Sequence, residues 1–174
     1  MTILFTDLVD STQLYRQRGN DAARALVDIQ AQILSAEVNR SGGRVIKTIG
    51  DSVMAAFPRP PSAIECAMAM QQALQKYNRV APPADRLYVR IGLHHGRVIA
   101  DEHDLYGDAV QLATQIEEKA KSQEILTSLS TWQSAPGLDT EVEVLEASEL
   151  SGRTAKTALV KVLWQESDIA ARRK

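Results

Sequence analysis

RVIKTIGDSVMAAF, residues 44–57, reads as two strands, Arg44 to Ile49 and Ser52 to Phe57, turned tightly at Gly50-Asp51. Upstream, Ile3 to Leu8 is short and apolar, as a buried strand is. Asp10, Ser11 and Thr12 offer cap residues for a helix start. From Asp21 to Asn39, Ala22, Ala25, Leu26, Ile29, Ile33 and Val38 fall at helical spacing, and Ser41-Gly42-Gly43 stops that helix. Downstream, Pro58, Pro60 and Pro61 break the chain and open a helix with Ile64, Ala67, Met68 and Leu74 on its apolar face. Cys66, beside Ala63, Ala67 and Met70, reads as core packing.

Further on, Leu87 to Leu93 and Arg97 to Ala100 read as a strand pair around His94-His95-Gly96, and Gly107 to Lys121 as a helix. Three later strands follow at Glu124 to Thr127, Glu141 to Leu145 and Thr157 to Trp164. The order is β-α-β-β-α-β with additions. It predicts a ferredoxin-like α+β sandwich, an antiparallel sheet with helices on one face and extra C-terminal strands. Residues 1–166 are expected to form this domain, with 167–174 as a tail or linker.

Composition narrows the function classes. The chain has 174 residues, 44% of them hydrophobic, enough for one ordinary core. A formal net charge of −2 argues against a broad nucleic-acid or anionic-membrane surface. A single cysteine rules out an intrachain disulfide and suits a reducing, cytoplasmic setting. No apolar run approaches the roughly 20 residues that cross a bilayer. A strand that starts almost at residue 1 suggests a domain cut from a longer protein, or one with an unusually trimmed front.

Two acids stand at strand ends: Asp7 after the first strand and Asp51 in the hairpin. Carboxylates on neighbouring strands can share hard divalent cations. Gly-Asp is also a common turn dipeptide, and aspartate after a strand a common helix cap, so spacing alone leaves a structural role open.

The flanking residues carry more. FTDLVDST (5–12) and KTIGDSVMAAF (47–57) closely resemble the two metal-binding segments of class III adenylate and guanylate cyclases. VRIGLHHGRV (89–98), Asp104-Leu105-Tyr106-Gly107 leading into Val110 and Leu112-Ala113, and EILTS (124–128) follow in that family's order. The resemblance implies two divalent cations, magnesium or manganese, held by Asp7, Asp51 and the Leu8 carbonyl on a nucleoside triphosphate. It implies phosphate binding by the turn Val9, Asp10, Ser11 and Thr12, where free N–H groups open a helix. Lys47 matches a base-reading lysine and Asp104 its partner, a pair that suits adenine and therefore ATP. It also implies a site between two chains, in a homodimer or a heterodimer. His94 and its strand-end position read as structural. A diguanylate cyclase or polymerase palm ranks last, because the Gly-Gly-Asp/Glu-Glu-Phe signature is absent.

The chain departs from the pattern where the resemblance expects an asparagine and, four residues later, an arginine on one helix face. Gln111 and Gln115 stand there. Glutamine does not replace a fixed positive charge, and arginines in comparable phosphoryl-transfer roles are worth roughly 10³–10⁵ in rate. Ser151, in Leu150-Ser151-Gly152, stands where many members carry a phosphate-binding lysine, with Arg153 and Lys156 nearby. The expectations are therefore an ATP cyclase with weakened or partner-dependent catalysis, or an inactive cyclase-like module that dimerises and binds nucleotide or metal.

Overall fold

The computed structural model describes every residue, Met1–Lys174. A seven-stranded sheet runs in the order β2-β3-β1-β4-β7-β9-β8. β1 (Thr2–Leu8) lies between β3 (Ser52–Phe57) and β4 (Val89–His95), and β2 (Arg44–Ile49) lies outside β3. With α2 (Asn20–Arg40) and α3 (Pro60–Val80), these strands form the expected βαββαβ sandwich. β7 (Ile125–Ser128), β9 (Leu159–Leu163) and β8 (Glu141–Val144) extend it beyond β4.

The layering departs from the expectation in two respects. β4 and β7 pair in parallel, so the sheet is mixed. The helices also occupy both faces, because β1 buries both of its sides and alternate residues face opposite ways. Leu4, Ala55 and Leu93 pack with Leu34 of α2 and with Ile64 and Met70 of α3. Ile3, Met54 and Ala56 pack instead with Ala109 and Ala113 of α4 (Asp108–Lys119).

Three local expectations are corrected. β4 does not end at Leu93: His95 pairs with Thr2, and the Gly96 N–H donates to the Met1 carbonyl, so the start of β1 extends β4 by two residues. The anticipated Arg97–Ala100 strand shrinks to β5 (Ile99–Ala100), which pairs with β6 (Leu105–Tyr106) in a separate ribbon. On α2 the buried stripe is Ala23, Leu26, Val27, Gln30, Leu34 and Val38, while Ala22, Ala25 and Ile29 are exposed. Gln30 disguised that stripe. It is a polar residue at a fully buried position because its Nε2 donates to the Asp51 carbonyl at 3.2 Å.

Cys66 is buried in the core, and burial pushes its thiol up to about 11. Two short helices, α1 (Ser11–Arg18) and α5 (Leu129–Gln133), flank β1 and β7 in sequence. α6 (Glu166–Arg172) ends the chain and buries no residue. No helix is long and apolar enough to cross a membrane.

Candidate active site

β1 and the β2–β3 turn bring the two strand-end acids together. Ser52 Oγ donates to Asp7 Oδ1 at 3.0 Å, so the residue after Asp51 already touches Asp7. The Asp51 carboxyl lies close enough to Asp7 and Ser11 for both to perturb it. Burial raises its pKa, the neighbouring Asp7 charge adds to the rise, and the Ser11 hydroxyl opposes it. Gln30 braces the same turn from α2 through the Asp51 carbonyl.

Asp10 occupies the N-cap position of α1 but makes no side-chain cap bond, contrary to the capping expectation. Its φ of 57° places it in the left-handed region, and the neighbouring Ser11 hydroxyl lies near enough to Asp51 to act on that carboxyl. The N–H groups opening α1 therefore lack a side-chain acceptor, the condition for receiving an anion. They face a cavity of about 570 Å³ lined by Asp7 to Gln13 and by Arg16, Arg90, Ala120, Lys121 and Ser122.

Sequence reasoning passed over Arg90, Arg16 and Lys121. Arg90 Nη2 donates to Asp7 Oδ2 at 3.0 Å, and its Nε lies 2.7 Å from Glu117 Oε1. Glu117 is only 6% exposed, and burial pushes its pKa up to about 7 against the opposing Arg90 charge. Gly92 permits this approach of α4 to β4, since a Cβ there would lie 2.2 Å from the Glu117 backbone nitrogen. A visible signal was Arg90 itself, a charge inside the otherwise apolar strand Val89–Leu93.

Lys47 and Asp104 form a second corner. Lys47 Nζ donates to Asp104 Oδ2 at 2.6 Å, and that contact holds the Asp104 carboxyl below the usual range. A bulge between Val45 and Lys47 sets Lys47 opposite Met54, on the α4 side of the sheet. Asp104 also lines a separate cavity of about 190 Å³ with Arg44, Val45, Ile46 and Asp101 to His103. Within one chain, Asp7 and Asp104 thus border different cavities.

Gln111 and Gln115 lie one turn apart on α4. Gln111 is exposed, whereas Gln115 Nε2 donates to the Ser151 carbonyl at 3.3 Å. Gln115 Oε1 is buried without a partner. His94 is structural, as expected: its Nδ1 lies 2.8 Å from Ser128 Oγ, the residue that caps α5, and burial lowers its pKa to about 4.

Residues 1–162 match the model of the adenylate and guanylate cyclase catalytic domain. The chain belongs to that family. It is 33% identical over 118 residues to putative adenylate cyclase 3 of Rhizobium meliloti, a match covering 68% of this chain and 20% of that protein. It is 25% identical over 161 residues to the serine/threonine-protein kinase pkn2 of Myxococcus xanthus, covering 92% and 19% respectively. The chain thus spans about a fifth of the length of these relatives. Among solved structures, the catalytic core of a rhodopsin-guanylyl cyclase with converted specificity, in complex with ATPαS, superposes with a TM-score of 0.82 at 25% identity. That match covers 93% of this chain and 94% of the other.

No group of three or more His, Cys, Asp or Glu side chains converges anywhere in this cyclase domain in a way that could hold a metal ion. The candidate cation donors are the Asp7 and Asp51 carboxylates and the adjoining backbone. Two hard carboxylate donors beside an open cleft fit magnesium or manganese, which keep several waters or substrate oxygens as further ligands.

Proposed function

We propose that this domain converts ATP to cyclic AMP and pyrophosphate at a site completed by a second cyclase chain. The convergence of Asp7 and Asp51 beside a cleft lined by Arg16, Arg90 and Lys121 carries the reading. Two divalent cations held by Asp7, Asp51 and the Leu8 carbonyl would neutralise developing phosphate charge and favour ionisation of the ribose 3′-hydroxyl. The 3′-oxygen forms a bond to the α-phosphorus as the α–β bridging P–O bond breaks. Pyrophosphate leaves, and the hydroxyl proton passes to solvent. Arg90, Arg16, Lys121 and the N–H groups of Val9 to Thr12 bind the polyphosphate.

Lys47 donates to a ring nitrogen of adenine, and Asp104 accepts from the exocyclic amine. In the isolated chain these two groups satisfy each other. The second chain supplies this corner, a reading supported by Asp7 and Asp104 bordering separate cavities. Half-buried Phe5, Ile46, Val98 and Val110 and exposed Ile49, Ile99 and Tyr106 give the base corner an apolar surface that a homodimer or heterodimer would cover.

Gln115 favours a second reading, a dimerising module that binds nucleotide or metal without turnover. Its amide is tied to Ser151 and brings no charge to the face where the resemblance expects an arginine. Incubation of the pure domain with each nucleoside triphosphate and manganese, followed by mass spectrometry, separates the two. Cyclic AMP from ATP supports catalysis. Metal-dependent binding with no cyclic product supports the module, and Gln111→Asn with Gln115→Arg should then restore product. Unchanged manganese-dependent ATP binding in Asp51→Ala would refute the metal site.

A further inference from the structure

We propose that Arg153 supplies the polyphosphate-facing positive charge that Gln115 and Ser151 do not, so that the cation comes from the loop before β9 instead of from α4. The inference rests on the cyclase reading above and assigns that site a further residue. Asp108, Gln111 and Gln115 stand at i, i+3 and i+7, on one face of α4. The loop after β8 crosses this face and is fixed at both ends of it. At one end Gln115 donates to the Ser151 carbonyl. At the other, Arg153 Nη2 lies 2.6 Å from Asp108 Oδ2. Seven residues of helix separate these anchors by about 10 Å, and the exposed Gln111 lies between them.

The loop is built to present this side chain. Leu150 is buried against Leu112 and Ile116 of α4. Its carbonyl accepts from the Arg153 N–H at 3.3 Å, and Gly152 has φ +80°. A left-handed third residue closes a tight turn, which glycine does without strain. The turn hides Ser151's neighbour Leu150 and projects Arg153 back along α4. Lys156, the other cation of the loop, is exposed and in no ion pair.

Asp108 is a resting partner that a nucleotide can displace. The two side chains are 38% and 71% exposed, and pairs so exposed hold only weakly against solvent and salt. A triphosphate offers several charged oxygens in place of one carboxylate, with the bidentate geometry that guanidinium prefers.

The test uses the full domain with manganese, ATP turnover, and calorimetric binding of α,β-methylene-ATP, which cannot be cyclised. Arg153→Ala should lower kcat at least tenfold and analogue affinity at least fivefold, and Arg153→Lys should recover part of both. Asp108→Asn distinguishes a phosphate contact from a loop anchor: removing the competitor should leave affinity unchanged or raise it. An equal loss in Asp108→Asn and Arg153→Ala assigns Arg153 to loop anchoring and overturns the proposal. Wild-type binding or turnover that Arg153→Ala does not change also overturns it, while leaving the cyclase reading intact. A wild-type domain that neither binds the analogue with manganese nor forms product overturns the cyclase reading, and this inference with it.

Discussion

Gly92→Ala tests whether the close seat of α4 on β4 holds the site together. A methyl group at this position would meet the Glu117 backbone nitrogen at 2.2 Å and its Cα at 2.4 Å. Both neighbours are main chain, so no rotamer change relieves the clash, and α4 must withdraw from β4 by about 1 Å or more to reach ordinary contact. Overpacking of this kind typically costs 1–3 kcal/mol. Rigid backbone on both sides puts this case at the upper end, about 3 kcal/mol. In a chain of this size each kcal/mol moves Tm by about 2–4 °C, so the midpoint should fall by about 6–12 °C. The same displacement pulls Glu117 from Arg90, leaving the arginine to Asp7 alone. Thermal unfolding by circular dichroism measures the first effect, and metal-dependent nucleotide binding the second. A variant whose midpoint lies within 2 °C of the parent's would show that α4 is not seated as described.

Other expectations concern titration, the hidden glutamine and the metal. His94 resists protonation down to about 4 in the folded state, against 6.5 in the unfolded chain. Unfolded chains therefore bind the extra proton between these values, and stability, complete above pH 6.5, declines by about 3 kcal/mol as pH falls toward 4. In His94→Gln that part of the acid limb should vanish, and urea midpoints at pH 7 and pH 4.5 that drop as steeply as in the parent would contradict it. Gln30→Leu removes a bond to the Asp51 carbonyl but also a buried oxygen without a partner, so stability should change by less than about 1 kcal/mol. Manganese affinity, read by electron paramagnetic resonance, should nonetheless drop about tenfold, since groups that orient ligands are worth 10–100-fold; equal affinity would deny Gln30 its bracing role. Asp7 and Asp10 line the cleft with Arg16, Arg90 and Lys121 and offset two of those three cations, so little positive charge is left for a triphosphate. EDTA should weaken ATP binding at least tenfold, and binding indifferent to chelation would count against cations on the acid pair.

Much of the fold was legible because its signals are local. The hairpin at residues 44–57 is bounded as the sequence suggests, since two short strand-like runs and a Gly-Asp turn specify it locally. The second layer of helices was not legible: Ile3 and Leu4 are both apolar and buried, and nothing in the sequence says which helix covers which. The buried face of α2 was misread because its central member, Gln30, is polar for a reason 21 residues away. In the site, Asp7, Asp51, Lys47 and Asp104 could be named from motif segments. Arg90 stood out as a charge in an apolar strand, but its partner Glu117 could not be named, because their pairing depends on how closely Gly92 lets α4 approach, a distance that no pattern of residues encodes.

The departures from the family pattern are themselves related in space. Gln115 and Ser151 occupy two positions where the resemblance expects cations, and they bond to each other. Two cations there would repel each other unless a polyphosphate lay between them. Glutamine against a backbone carbonyl closes the same corner without any ligand. The acid pair behaves in the opposite way, since burial and the nearby Asp7 raise the Asp51 pKa and leave a site that a cation would relieve. One chain therefore combines an α4 corner closed by a hydrogen bond, though at the cost of an unpartnered Gln115 Oε1, with an acid corner that a cation would relieve. On the proposed reading, the metal half is the one this domain brings fully formed to a partner. The contribution of its α4 half then rests on whether Arg153, two residues beyond the closed contact, leaves Asp108 for the nucleotide.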